Sequence, residues 1–314
     1  MTDHIAQDRI EQDRAALAEE TRWLACEREA VIFAHNYQPA EVQDVADVVG
    51  DSLELARRAA DADAAVIVLA GVRFMAETAA ILAPDKTVLL PRIEAGCPMA
   101  DTITAAELAA WKAEYPGVPV VMYVNSSAEV KALTDVCCTS ANAVEVVRAL
   151  GAGQVLFGPD RNLGAWIASH LPEIDVVVWD GACPIHDEVT AAMVRDAREA
   201  HPDAVVLAHP ECRPEVLALA DAVLSTSGML RYAAASAADE FIIVTEAGLI
   251  HGLEKAAPGK RFLPVMPLMT CADMKITSLD DVHAALRALA GIVTVPDDVA
   301  AAARGSLERM TAIG

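Results

Sequence analysis

A pattern of apolar strand, polar triplet and helix returns through this chain every 87 residues or so, and that recurrence limits the fold more than anything else in it. The runs AVIFAHNYQPAEV (30–42), VVMYVNSSAEV (120–130) and VVLAHPECRPEV (205–216) each open a unit. His35, Tyr123 and His209 hold equivalent places in them, 88 and 86 residues apart. GDSLELARRAA, CTSANAVEVVRAL and STSGMLRYAAA follow, with Ser52, Ser140 and Ser227 spaced 88 and 87. Next come a strand and helix in AVIVLAGVRFMAE, QVLFGPDRNLGAW and FIIVTEAGLIHGL. Last is a strand ending near a cysteine, in TVLLPRIEAGCPMAD, DVVVWDGACPIHD and RFLPVMPLMTCADMK. Here Cys97, Cys183 and Cys271 are spaced 86 and 88.

Each unit therefore reads as β-α-β-α-β. The strands are short and almost wholly apolar, as parallel strands covered on both faces must be. Between them lie helices with an apolar stripe, as in Leu53, Leu55, Ala56, Ala59 and Ala60. Right-handed crossovers make each unit a three-layer αβα domain, and ligands in such sheets gather outside the carboxyl ends of the strands. The expected architecture is α/β: three such domains with parallel sheets around a pseudo-threefold axis, the active site at their central junction. The domains are placed at 1–102 plus 275–314, 103–187 and 188–274. The first 30 residues and the tail from about 275 read as helices wrapping the outside.

Composition narrows the function. With 54% hydrophobic residues among 314, the chain is not a disordered one. A formal net charge of −22 argues against nucleic acid and anionic membranes as partners. It also raises a question: which local groups would hold an anionic substrate? The longest apolar stretches, such as 64–72, fall well short of the ~20 residues a spanning helix needs. The opening MTDHIAQDRIEQDRAALAEE is charged throughout and is not expected to be a secretory leader, so a cytoplasmic location is expected. Seven cysteines in a reducing compartment read as thiols or ligands before disulfides, and no CxxC is present.

Three units facing one cavity would bring Cys97, Cys183 and Cys271 to one point. Three thiolates suit zinc, with a fourth ligand or an open place for water. They also suit a [4Fe–4S] cluster with one iron left open. Buried structural thiols are the other reading. Cys26, Cys137, Cys138 and Cys212 have no periodic partner and read as buried structural residues; the adjacent Cys137 and Cys138 are too cramped for an ordinary bridge. The serines stand where helices begin, which suits either capping or an anion site. Of the triplets His35-Asn36-Tyr37, Tyr123-Val124-Asn125 and His209-Pro210-Glu211, only the last holds an acid, a candidate general acid or base. His186 lies three residues after a candidate ligand and would orient substrate or support the metal. His251 and His283 read as surface or core residues.

The stretches AHNYQPAEVQDVADVVGDS, AGCPMADTIT, YVNSSAEVKA, CTSANAVEVV, FGPDRNLG, CPIHDEVT, HPEC, STSGM and TEAGLIHGL, in order from about 30 to 280, resemble the quinolinate synthase family. The resemblance implies three α/β domains and a [4Fe–4S] cluster held by Cys97, Cys183 and Cys271, with one iron open to substrate. It implies condensation of iminoaspartate with dihydroxyacetone phosphate to quinolinate, phosphate and water, feeding NAD biosynthesis, with functional coupling to an L-aspartate oxidase. Substrate contacts fall on His35, Tyr37, Ser52, Tyr123, Asn125, Ser140, His186, His209, Glu211 and Thr226. Val124 and Pro210 of the triplets are counted with them. Thr226 replaces Ser227 at the third serine landmark. Glu211, Tyr37, Tyr123 and His186 are the expected catalytic set. Some members carry a CxxC near the last ligand as a redox switch; Thr270-Cys271-Ala272-Asp273 lacks it. The competing readings are a zinc lyase or aldolase on the same thiolates, and a non-enzymatic iron–sulfur sensor or anion-binding protein.

Overall fold

A computed structural model describes residues 2–267 and 269–313. Strands β1 (Ala30–His35), β2 (Val48–Gly50), β3 (Val66–Ala70) and β4 (Thr87–Leu89) form one sheet. A second holds β5 (Val120–Tyr123), β6 (Val136–Cys138), β7 (Gln154–Gly158) and β8 (Asp175–Val178). The third holds β9 (Val205–Ala208), β10 (Ala222–Val223), β11 (Glu240–Val244) and β12 (Arg261–Pro264). In each the first strand lies between the second and third, the fourth takes the far edge, and all these pairings are parallel. The expected α/β class with three repeated parallel sheets is therefore present. Each unit has one strand more than the sequence pattern suggested: β2, β6 and β10 are only three, three and two residues long, too short to carry a period of their own.

Burial explains the strand composition. All five residues of β3 and all four of β5 are buried, because helices cover both faces. The helix Ser52–Ala60 buries Leu53, Leu55, Ala56 and Ala59, while Ala60 falls off the stripe and is exposed. Removing a side chain such as Leu55 from water contributes about 1.5–3 kcal/mol.

The amino end of every sheet is tied in the same way. Asp47 Oδ2 accepts the Ile32 N–H at 2.7 Å, and the Asp47 N–H donates to the Ile32 carbonyl at 2.8 Å. Asp135 and Val120 repeat the reciprocal pair at 2.8 and 3.1 Å, and Asp221 and Val206 at 2.8 and 2.9 Å. At the other end, the backbone N–H after each third strand catches the cysteine loop. Arg73 donates to the Ala95 carbonyl, Arg161 to Gly181 and Ala247 to Met269, at 2.8, 2.7 and 2.8 Å.

The terminal segments are helical, as expected. The helix Thr2–Glu27 and the helix Leu279–Ala288 pack together, burying Leu24, Ala25, Val282 and Leu286 against Ile32 and Val66. The helix Asp297–Ala312 packs on Arg73–Leu82 of the first unit and on β6 and Ala128–Ala132 of the second. Between them the tail runs antiparallel beside β4: Leu90 N–H donates to the Gly291 carbonyl at 2.8 Å and Val293 N–H to Val88 at 2.9 Å. Gly291 has φ +77°, and a Cβ there would collide with the Leu90 carbonyl oxygen, so both conformation and space require glycine. Among the described residues no helix is long and apolar enough to cross a membrane.

Candidate active site

Because the first strand of each sheet has neighbours on both sides, its carboxyl end opens at the point where the strand order reverses, the usual place for a ligand. His35 ends β1 and Tyr123 ends β5, while His209 directly follows β9. Two residues further on come Tyr37, Asn125 and Glu211. All six face one cavity. Ser52, Ser140, Thr226 and His186 line it too, as do Cys97, Cys183 and Cys271. Residues far apart in sequence and drawn from all three units are thus brought together.

The middle members of the triplets are not. Side chains along extended backbone alternate in direction, so Val124 lines a small apolar pocket with Leu55 and Phe74, and Pro210 lines a separate cleft with Arg148 and Arg231.

At the helix starts, capping and ligand binding fall to different residues. Asp51 is the N-cap of Ser52–Ala60 and accepts the Glu54 N–H at 3.0 Å. Ser225 caps Thr226–Ala235 through the Gly228 N–H at 3.3 Å. Asn142 stands at the N-cap of Ala143–Ala149. Ser52, Ser140 and Thr226 are therefore free of cap duty and present hydroxyls to the cavity. Ser140 Oγ sits 3.1 Å from His209 Nε2, and Thr226 Oγ1 accepts from Asn36 Nδ2 at 2.8 Å. Ser227 is buried outside the cavity wall, its hydroxyl without a partner among the described residues.

Glu211 is the hub. Tyr123 Oη donates to its Oε1 at 2.6 Å, and His186 Nδ1 lies 2.7 Å from its Oε2. Burial alone would raise the carboxyl, but the electrostatic pull of the His186 imidazole, with the hydrogen bonds from His186 and Tyr123, outweighs it and holds the group below its ordinary value. Glu211 is thus an ionised base at neutral pH. Burial, then the Glu211 charge, keeps Tyr37 and Tyr123 as phenols. Burial lowers His35 and His209 to about 4 against the opposing charges of Asp51 and Glu211, so both are neutral at pH 7.

A threonine absent from the sequence reading completes this network. Thr245 Oγ1 lies 2.9 Å from His186 Nε2 and 2.5 Å from Tyr37 Oη, joining Glu211 to Tyr37 through His186. Its only signal in sequence is its place directly after β11. Asp51, whose type suits the cap that it forms, also lines the cavity, as does Glu246, which nothing in the sequence singled out.

The seven cysteines are all free. Cys137, Cys138 and Cys212 are buried as expected, whereas Cys26 is exposed, because it lies on the outer side of the first helix. Burial raises Cys97 to about 12 and also raises Cys183 and Cys271. Three thiolates here would need a cation to offset their charge. A single tetrahedral zinc, with Zn–S of about 2.3 Å, holds its sulfurs about 3.8 Å apart. The Sγ atoms of Cys97, Cys183 and Cys271 do not all lie within 4.8 Å of one another; the set that does is Cys183, His186 and Glu211. Three thiols from three units line one cavity, and their soft sulfur donors suit an iron–sulfur cluster.

A sequence profile of the family described as Quinolinate synthetase A protein matches residues 19–312. The chain is 52% identical over 292 residues to a quinolinate synthase of Thermodesulfovibrio yellowstonii, covering 93% of this chain and 96% of that one. It is 53% identical over 287 residues to one of Dehalococcoides mccartyi (91% and 95%) and 52% over 301 to one of Methanoregula boonei (96% and 99%).

Proposed function

The chain belongs to the quinolinate synthetase A family and is an enzyme of quinolinate synthesis on the way to NAD; we propose that its cavity condenses iminoaspartate with dihydroxyacetone phosphate, releasing phosphate and water. The observation that carries this is the meeting of three thiols, three uncapped hydroxyls and an ionised Glu211, from three units, in one cavity. On this reading the units are domains at 1–102 plus 275–314, 103–187 and 188–274, set about a pseudo-threefold axis.

Cys97, Cys183 and Cys271 would hold a [4Fe–4S] cluster, which when bound supplies a Lewis-acidic iron free of cysteine. The substrates are anions in a chain of net charge −22. Ser52, Ser140 and Thr226 hold their carboxylates and phosphate with hydroxyl donors, and the starts of Ser52–Ala60 and Thr226–Ala235 add free N–H groups and the helix dipole. Neutral His35 and His209, with Asn125, orient the same groups without a basic side chain. Glu211 takes the proton from the carbon of iminoaspartate that attacks the triose. Tyr123 steadies the carboxylate and returns protons to departing oxygen. Tyr37 exchanges protons with the same pool through Thr245 and His186. A site of this kind needs iminoaspartate made nearby, so coupling to an L-aspartate oxidase belongs to the reading. So does a cytoplasmic location, where seven free thiols stay reduced.

The test is an anaerobic assay of the iron-reconstituted chain for quinolinate from iminoaspartate and dihydroxyacetone phosphate. Quinolinate formed with one phosphate per turnover is expected. A protein that holds iron and sulfide but forms no quinolinate would overturn the assignment.

A further inference from the structure

The three cysteine loops share one backbone latch, and the residue just before each latch donor is Val72, Asp160 or Glu246, spaced 88 and 86. In the second unit Asp160, fully buried, reaches the ligand itself: its Oδ2 accepts the Cys183 N–H at 2.9 Å while Oδ1 accepts the Leu163 N–H at 2.7 Å. The third unit does the same with Glu246, also fully buried. Its Oε1 accepts the Cys271 N–H at 3.2 Å and its Oε2 the Gly248 N–H at 2.8 Å. Lys275 Nζ lies 2.8 and 2.9 Å from the two oxygens of Glu246 and also donates to the Tyr37 carbonyl. Val72 offers no acceptor. In the first unit the carboxylate comes from elsewhere: Asp273, two residues after Cys271, accepts the Gly96 N–H through Oδ1 at 2.9 Å.

Cys183 and Cys271 each stand at the N-cap of a four-residue helix, Pro184–Asp187 and Ala272–Lys275. The helix holds the carbonyl of such a residue, as Cys183 accepts the Asp187 N–H at 2.9 Å, but not its amide, so what else ties that amide helps to set the thiol direction. Both oxygens of Asp160 and of Glu246 are already accepting N–H groups. An amide side chain has one acceptor oxygen and would turn its NH2 toward the remaining donor.

Resting on the cluster reading above, we infer that Asp160, Glu246 and Asp273 are positioning residues for the iron–sulfur cluster, pinning the loops of Cys183, Cys271 and Cys97 so that three thiols from three units keep one fixed spacing. Asp273 also ties the first ligand to the third, because one short turn carries both Cys271 and the brace for Gly96.

The experiment follows iron release from the anaerobically reconstituted full chain to a ferrous chelator, with the electron paramagnetic resonance spectrum of the reduced cluster. Groups that hold metal ligands typically change metal affinity about 10–100-fold, so Asp160→Asn, Glu246→Gln and Asp273→Ala are each expected to release iron about tenfold faster and to alter the spectrum. Asp135→Ala removes a carboxylate brace at the opposite end of the second sheet. It is expected to lower the melting temperature and leave release and spectrum unchanged. Should Asp160→Asn fail to fold, Asp273→Ala on its half-buried turn decides the matter. Iron release at the parent rate from folded Asp273→Ala and Glu246→Gln overturns the bracing role and leaves the cluster standing. A parent chain that takes up no iron and sulfide overturns both.

Discussion

At the amino ends of the three sheets, one solution occurs three times: Asp47, Asp135 and Asp221, each bonded reciprocally to the residue three before His35, Tyr123 or His209. At the carboxyl ends, equivalent positions carry differing residues. His35, Tyr123 and His209 are equivalent, as are Tyr37, Asn125 and Glu211. Only the cysteines remain identical there. Closing a parallel sheet is the same physical problem in each unit, so one answer serves. On the function proposed above, an asymmetric pair of substrates needs walls that differ, whereas a cluster held at three corners needs three equal donors. The repeat has been kept where the demand is symmetric and lost where it is not.

The sharpest way to break this contrast is to remove one of the identical carboxyl-end residues. Cys183→Ser is expected to abolish cluster binding and activity, since an alkoxide is a poor substitute for thiolate, while Cys26→Ser, on the exposed first helix, leaves iron content unaltered. Iron and sulfide analysis reads both. Glu211→Gln, at a position where the units differ most, is expected to lower kcat about 10²–10⁴-fold with the cluster intact. Turnover within a factor of two of the parent removes Glu211 from the acid–base role.

A smaller effect is expected at Ser140. A hydrogen bond to a charged group contributes about 1.5–3 kcal/mol, so Ser140→Ala should weaken substrate affinity about 10–150-fold. Because Asn142, not Ser140, is the N-cap, the melting temperature of the free protein should not move; a lower melt with unchanged affinity would make the hydroxyl structural. The smallest effect belongs to the amino end. Asp135→Ala is expected to cost about 1 kcal/mol of stability and leave kcat and KM at parent values, checked by denaturant titration and steady-state rates.

Much of this contrast is legible in the sequence. The period, the apolar strands and the three cysteines announce the repeated α/β units, because burial on two faces and spacing in register leave a mark in composition. The placement of Thr226 over Ser227 comes from the family resemblance and not from the repeat, since a helix start cannot be fixed to one residue from capping types alone and the cap proves to be Ser225. Strands as short as β10 leave no periodic trace. Thr245 and Glu246 escape for a different reason. The partners of Thr245 are 59 and 208 residues away, and those that tie Glu246 to the cysteine loop are 25 and 29 away, so no local pattern records them. The aspartates at 47, 135 and 221 were in plain register and were missed because exposed acids between strands usually carry no structural message.

The pairing of Gly291 and Val293 with the edge of β4 has a consequence for biogenesis. Domains ordinarily mature in the order in which they leave the ribosome. Here the earliest sheet keeps an open edge, a site for unwanted strand pairing, until the segment around residue 291 has been made. The first unit translated is thus the last to be sealed. A nascent chain stalled or cut before that point would carry three finished strand sets and an unguarded border, a form for chaperones and proteases to recognise.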